Sequence, residues 1–381
     1  MSSVEASKPT VRKTALNAVH RQMGAKMVDF NGWDMPVEYP SAGGLIAEHL
    51  AVRTGVGVFD VSHMGDILFT GPEALAAVQH VTMNDAAKLV VGQCQYSAML
   101  YPQGTFVDDV IVHRLGESVY LLVINAGTRE KDFGWASQNA AGFNCKVENL
   151  SDDYTQIAIQ GPRGVDVLQK LTDVDLSAVK FYWLTRGAVC GLRGILIART
   201  GYTAEDGFEI YVPADPETSA MVWKRVLEAG AEFDIKPCGL GARNTLRLEG
   251  KLPLYGHEIS EAISVWEAGL DRFCKMDKPE FIGQDALVRA KERGVRRTLI
   301  GLEMTERGIA RDGYKVLDHG GSEIGHVTSG SYAPFLKKNI ALAYVPPENS
   351  TVDTELAVEI RGQAVKAKVI PTPFYKRPKK N

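Results

Sequence analysis

The chain has 381 residues, 45% hydrophobic and 23% charged, with a net charge of -3. These values fit a soluble globular protein of roughly two to three domains and argue against bulk electrostatic binding of nucleic acid. The five cysteines (Cys94, Cys145, Cys190, Cys238 and Cys274) are scattered without CxxC spacing, so neither a disulfide framework nor a zinc site is expected, and no apolar run reaches membrane-spanning length.

In chain order, the opening MSSVEASKPTVRKT has no secretory apolar region and reads as a flexible arm. The expected location is the cytoplasm, or the mitochondrial matrix if a presequence was removed. Residues 14–23 predict a short helix stopped by Gly24. The stretch VDFNGWDMPVEYPSAGG reads as irregular structure anchored by Trp33, Met35 and Tyr39. Residues 46–52 suit a helix, with His49 expected at its surface or cap. Residues 57–70 give two strands broken at SHMG, and a helix follows over 71–80 with Pro72 in its first turn.

A strand over 93–100 carries Tyr96. Residues 104–128 (GTFVDDVIVHRLGESVYLLVINAGT) read as a β-hairpin, with LGES as the turn. Helices are expected over 129–140, 162–171 and 221–229, and strands over 155–161 and 194–199. In TGYTAEDGFEIYV a turn feeds a strand with Phe208, Ile210 and Val212 on one face and Glu209 and Tyr211 on the other. A composition shift over residues 278–294, with a boundary at 292–295, precedes strands over 298–304, 323–328, 340–345 and 357–369, the pattern of a small antiparallel barrel. The basic end YKRPKKN reads as a solvated tail.

Two places concentrate charge among apolar residues. Asp108 and Asp109 open the first hairpin arm, and alternation sends one toward solvent and the other inward. Either both are solvated at a strand entrance, or the inner one needs a partner or a shifted pKa. Arg243 and Arg247, four apart in GLGARNTLRLEG, share a face if helical. They either snorkel on a wet face or meet a carboxylate or an anionic ligand. No P-loop, HExxH, GxSxG or dinucleotide fingerprint is present. The residues alone thus describe a multi-domain α+β protein with a candidate site of Asp109, Glu209, Arg243, Tyr96 and Tyr202.

Several phrases in order resemble one family: MVDFNGWDMPVEY, HLAVRTGVGVFDVSHMG, DDVIV, INAGTREKD, RTGYTAEDGFEIYVP, GLGARNTLRLEG, LPLYGHEI and VTSGSYAPFLKKNIALAYV. The chain resembles the aminomethyltransferase (T-protein) family of the glycine cleavage system over nearly its whole length. The resemblance implies a folate-binding aminomethyltransferase fold over residues 1–290 and a C-terminal antiparallel β-barrel domain over 291–381. It implies tetrahydrofolate as co-substrate, a lipoylated H-protein as partner and no metal. The aminomethyl carbon would pass to tetrahydrofolate, giving 5,10-methylene-tetrahydrofolate and ammonia.

Carried over by motif, Asp109 would be the essential carboxylate and Glu209 would bind the pterin edge. Arg243 would orient and ionise Asp109, and Tyr375 would help close the site. Tyr96, Asn125, Tyr202 and Met64 would line the folate cavity. A folate-dependent demethylase on the same scaffold is the alternative. A non-catalytic folate-binding relative is disfavoured, because its KGCYxGQE-like stretch is absent. Two departures touch turns near the site: Thr105 after Gly104, and Ala204 where the family has glycine, a strained residue if its φ is positive.

Overall fold

The structure is a computed structural model and describes residues 11–378; the first ten residues of the arm expected over 1–14 and the last three residues of the basic tail lie outside them. Helix α1 (Asn17–Gln22) leads into strands β1 (Lys26–Phe30) and β2 (Trp33–Glu38), then α2 (Gly44–Thr54). Next come β3 (Gly57–Asp60), β4 (Gly65–Thr70), α3 (Ala74–Val81), β5 (Cys94–Leu100), β6 (Phe106–Gly116), β7 (Val119–Ile124), α4 (Arg129–Ala140) and β8 (Lys146–Asn149). The chain continues through β9 (Tyr154–Gln160), α5 (Gly164–Gln169), β10 (Leu184–Val189), β11 (Leu192–Ala198), β12 (Gly207–Pro213), α6 (Pro216–Gly230), β13 (Lys236–Cys238) and α7 (Leu240–Glu249). Helix α8 (Gln284–Arg293) leads to β14 (Thr298–Met304), β15 (Lys315–Leu317), β16 (Glu323–Ala333), β17 (Lys338–Val345), β18 (Glu355–Ile360) and β19 (Gln363–Ile370).

Three sheets organise these elements. A six-stranded sheet runs β10-β11-β12-β9-β3-β13, a five-stranded one runs β5-β6-β7-β4-β8, and the last six strands close into a barrel. Each of the first two sheets buries one face against helices. Phe208, Ile210 and Val212 pack with Trp223 of α6, and Val110, Val112 and Tyr120 pack with Ala74, Val78 and Ala136 of α3 and α4. Such fully buried aliphatic side chains contribute about 1.5–3 kcal/mol each. The short turn between β3 and β4 carries the chain from one sheet to the other, which places Met64 where the sheets meet.

Three expectations need correction. The stretch after α1 is a regular hairpin, not irregular structure: β1 and β2 pair antiparallel around Asn31 (φ 50°) and Gly32 (φ 80°), the left-handed pair that a tight hairpin turn requires. The strand read over 357–369 is two strands, β18 and β19, turned at Arg361 and Gly362, also both at positive φ. His49 is fully buried between α2 and α7, hydrogen-bonded to Thr245 Oγ1 at 2.8 Å and 3.2 Å from Glu249.

Candidate active site

A cavity of about 780 Å³, counting its open mouth, lies between the two open sheets. The strands build its walls by alternation. Asp109, Ile111 and His113 line it from β6, and Glu209 and Tyr211 line it from β12, because residues two apart on a strand share a face. Gln156 of β9, Tyr96 of β5, Met64, Asn125, Tyr202 and Arg243 of α7 complete the lining.

Neither acid of the DD pair faces bulk solvent: Asp109 lines the cavity, and Asp108 is 0% exposed on the opposite side of the strand. The Asn125 side-chain amide joins them, its Nδ2 donating to Asp108 Oδ1 and to Asp109 Oδ1, each at 2.8 Å. Thr128 Oγ1 donates to Asp108 Oδ2 at 2.6 Å. Burial and then the adjacent Asp108 push the Asp109 carboxyl well above the usual carboxylate range, against the hydrogen bond from Asn125. A carboxyl poised this way can take or give a proton near neutral pH.

Glu209 comes from the opposite sheet. Thr200 Oγ1 donates to its Oε2 at 2.5 Å, and among the described residues no other donor meets this carboxylate. Burial raises it, while Thr200 and Arg243 lower it. Arg243 lies beneath Tyr202, its guanidinium 4.6 Å from the ring centroid, with Nη2 3.9 Å from Met64 Sδ. Among the described residues it makes no ion pair with a carboxylate. The expectation that Arg243 orients Asp109 is therefore corrected: its place on α7 stacks it on Tyr202 within the field of Glu209, and Asn125 is the group that holds Asp109. The Tyr96 hydroxyl is buried beside Asp109.

Tyr375 is not among the cavity-lining residues. Its ring lies 4.0 Å from the Arg53 guanidinium, and its N–H donates to Glu249 O at the end of α7. The strong cation–π and backbone contacts behind α7 hold it away from the cavity. Arg247, one turn after Arg243, is 1% exposed and pairs with Glu258 at 2.6 Å, so the two arginines do not share a wet face.

Sequence reasoning singled out neither His113, Gln156, Tyr182 nor Thr200 as site residues, and left Tyr211 without a role. Alternation from Asp109 and Glu209 was the available signal for His113 and Tyr211. Both His113 ring nitrogens lack partners, and burial pushes the ring down to about 4, so it enters the cavity wall neutral.

The assembled groups define an enzyme site: a sheltered cavity with a proton-exchanging carboxyl on one wall, and a second carboxylate and a guanidinium on the other. Comparisons with known proteins identify the family. The GCVT N-terminal domain family matches residues 16–278, and the glycine cleavage T-protein C-terminal barrel domain matches 297–376. An aminomethyltransferase of Koribacter versatilis is 72% identical over 97% of this chain and 98% of its own. One from Acidobacterium capsulatum is 67% identical over 97% of each. The crystal structure of glycine cleavage system aminomethyltransferase T from Bartonella henselae superposes with a TM-score of 0.89 at 32% identity, over 96% of this chain and 98% of that one. The chain belongs to the glycine cleavage T-protein family.

Proposed function

We propose that this enzyme is the aminomethyltransferase of a glycine cleavage system. In this reading it releases ammonia from an aminomethyl group held on the dihydrolipoyl arm of a carrier protein and passes the carbon to tetrahydrofolate. The observation that carries the reading is the pairing of Asp109 and Glu209 on facing walls of one sheltered cavity. The polar groups left unmet by the fold suit a pterin. Glu209 has acceptor capacity for an amide N–H and an exocyclic amine, Arg243 has donors without a carboxylate, and His113 has two free ring nitrogens.

Tetrahydrofolate, when bound, supplies the nitrogens that accept the one-carbon unit. The protein's own residues have three tasks. Glu209 and Arg243 bind and orient the ring. Asp109, held by Asn125, exchanges a proton with the reacting nitrogen and stabilises positive charge developing at the carbon. Tyr96, Ile111 and Tyr211 keep water from that carbon.

The test is a coupled assay with tetrahydrofolate and an aminomethyl-loaded lipoyl carrier protein, following ammonia and methylene-tetrahydrofolate together. Equal, protein-dependent yields are expected. Folate binding without either product would overturn the carrier-bound substrate and point to a small methylated donor. Asp109→Asn should keep folate binding while turnover falls by about a hundredfold or more. Glu209→Ala should instead weaken folate binding, and an unchanged dissociation constant would remove Glu209 from ring recognition.

A further inference from the structure

The strand next to that of Glu209 carries a polar group with no task so far. Gln156 of β9 lies opposite Tyr211 of β12, and Ala158 lies opposite Glu209. Directly paired residues share a face, and Gln156, Tyr211 and Glu209 all line the cavity. Gln156 and Glu209 are diagonal neighbours, about 7–8 Å apart and so within reach of one ligand group. Gln156 is 2% exposed, and its Nε2 donates to Asp66 Oδ2 at 2.5 Å. Asp66 is 0% exposed and belongs to β4 of the five-stranded sheet, so this bond crosses from one sheet to the other. Both backbones are pinned beside it: Asp66 N donates to Ser151 Oγ at 2.9 Å, and Gln156 N donates to Ser62 Oγ at 3.1 Å. Asp66 Oδ1 has no partner. Burial raises the Asp66 carboxyl to about 8 against the bond from Gln156; with a proton on Oδ1 it still accepts the amide at Oδ2. Asp66 thus occupies the amide nitrogen, and the carbonyl end is left over. Among the described residues Gln156 Oε1 meets no donor.

We propose that Gln156 Oε1, held toward the cavity by Asp66, is a second acceptor for the pterin, taking the hydrogen of the exocyclic amine that Glu209 leaves free. This deepens the reading of Glu209 given above and rests on it. A 2-amino-4-oxo pyrimidine edge presents one ring N–H and two amine hydrogens. One carboxylate meets the ring N–H and the nearer amine hydrogen, and the farther hydrogen needs an acceptor on the same wall. A neutral amide oxygen suits that place, since a further carboxylate there would bury a like charge beside Glu209. A site built to accept from an N–H group discriminates strongly against a ligand that lacks it. Gln156 would touch the ligand; Asp66 would act only through Gln156, as a positioning residue.

The test is a pair of dissociation constants for the full-length protein, one for tetrahydrofolate and one for its 2-deamino analogue, in which hydrogen replaces the amine. Gln156→Met keeps the reach of the side chain and removes the acceptor. Tetrahydrofolate binding should weaken about tenfold in this variant, while the analogue should bind variant and wild type within about twofold of each other. Equal weakening for both ligands, or none, overturns recognition by Gln156. Asp66→Leu leaves the amide unheld and should lose part of the same preference for tetrahydrofolate. Asp66→Asn, whose carbonyl can replace Oδ2, should retain it. A merely structural Asp66 would shift the melting temperature and leave the ratio of the two constants in place, which overturns the proposal as stated. Either Gln156→Met or Asp66→Leu decides by itself, so one that does not fold leaves the other to judge. If the wild type binds no tetrahydrofolate, the functional reading falls and this inference falls with it. If it binds, and Glu209→Ala weakens it while Gln156→Met is unselective, the inference alone falls.

Discussion

Ala204 shows how one residue can carry strain beside a working site. It stands at φ 61° in the turn before β12, a left-handed conformation that costs a side-chain-bearing residue about 1–2 kcal/mol. Its Cβ also approaches Gly250, where an added Cβ would lie 2.7 Å away. Ala204→Gly should therefore raise stability, by about 0.5–1 kcal/mol after the greater freedom of glycine in the unfolded chain is set against the relief. Thermal or urea unfolding checks this, and a loss of stability would mean that the turn is unstrained. At this scale the sequence was informative about residue types and poor about partners. Asp109, Glu209, Tyr96 and Asn125 lie in the cavity as motif and alternation implied. The guanidinium expected on Asp109 is instead on Tyr202, and Tyr375 packs on Arg53. Pairings across long separations depend on helix placement, which no local pattern contains.

Elements were legible where one face is buried and the period is clean. The hairpin of β6 and β7, the helix α4 and the alternation in β12 follow directly from their apolar spacing. The hairpin of β1 and β2 was hidden because Pro36 lies within it, and proline argues against a strand interior. β2 tolerates it because β1 is its one strand partner and its other edge is bridged, at Trp33, by Arg12 and not at Pro36. The turn between β18 and β19 was hidden by Arg361, which rarely takes positive φ. Between elements, one tie has no sequence signature at all. Lys278 is 7% exposed, and its Nζ donates to Gln79 O at 2.6 Å, Thr82 O at 2.5 Å and Asn84 O at 3.0 Å. It thus staples the end of α3 to the segment before α8. Burial pulls the amine down to about 7, while the carbonyl cage favours its charged form. Lys278→Met would leave those carbonyls without a donor, at about 1–3 kcal/mol for an unmet buried group. The expected loss is about 2 kcal/mol in urea unfolding with turnover per folded molecule retained; no loss would show that the cage is not stabilising.

Across the molecule, a buried ion pair ties α7 to the barrel. Arg247 of α7 donates to Glu258 Oε2 at 2.6 Å and to Ser329 Oγ at 2.7 Å on β16 of the barrel. Thr328 Oγ1 donates to Glu258 Oε1 at 2.7 Å, and Tyr344 Oη of β17 donates to Glu258 O at 2.7 Å. The helix that carries Arg243 into the cavity is thereby fixed to the barrel by its next turn. Burial raises the Glu258 carboxyl, but Arg247 and the Ser329 and Thr328 hydroxyls outweigh it and hold the group below its ordinary value. A carboxylate lowered in the fold contributes stability in full above its unfolded value, and this is lost as pH falls through the folded value. The wild type should accordingly lose part of its stability in acid. Arg247→Met strands the buried Glu258 without its cation, at about 3–5 kcal/mol near neutral pH. The sign of the pH response should then reverse. Without Arg247 the burial that opposes ionisation dominates, the folded state holds a proton on Glu258 that the unfolded state releases, and stability rises as pH is lowered toward about 4. Adding Glu258→Gln should recover part of the loss and abolish the slope. Calorimetric melting of the wild type and the two variants across that range decides the point: a loss under about 1 kcal/mol with an unchanged acid slope would mean that the barrel is held by apolar packing of Leu248, Ile259 and Leu342 and not by the ion pair.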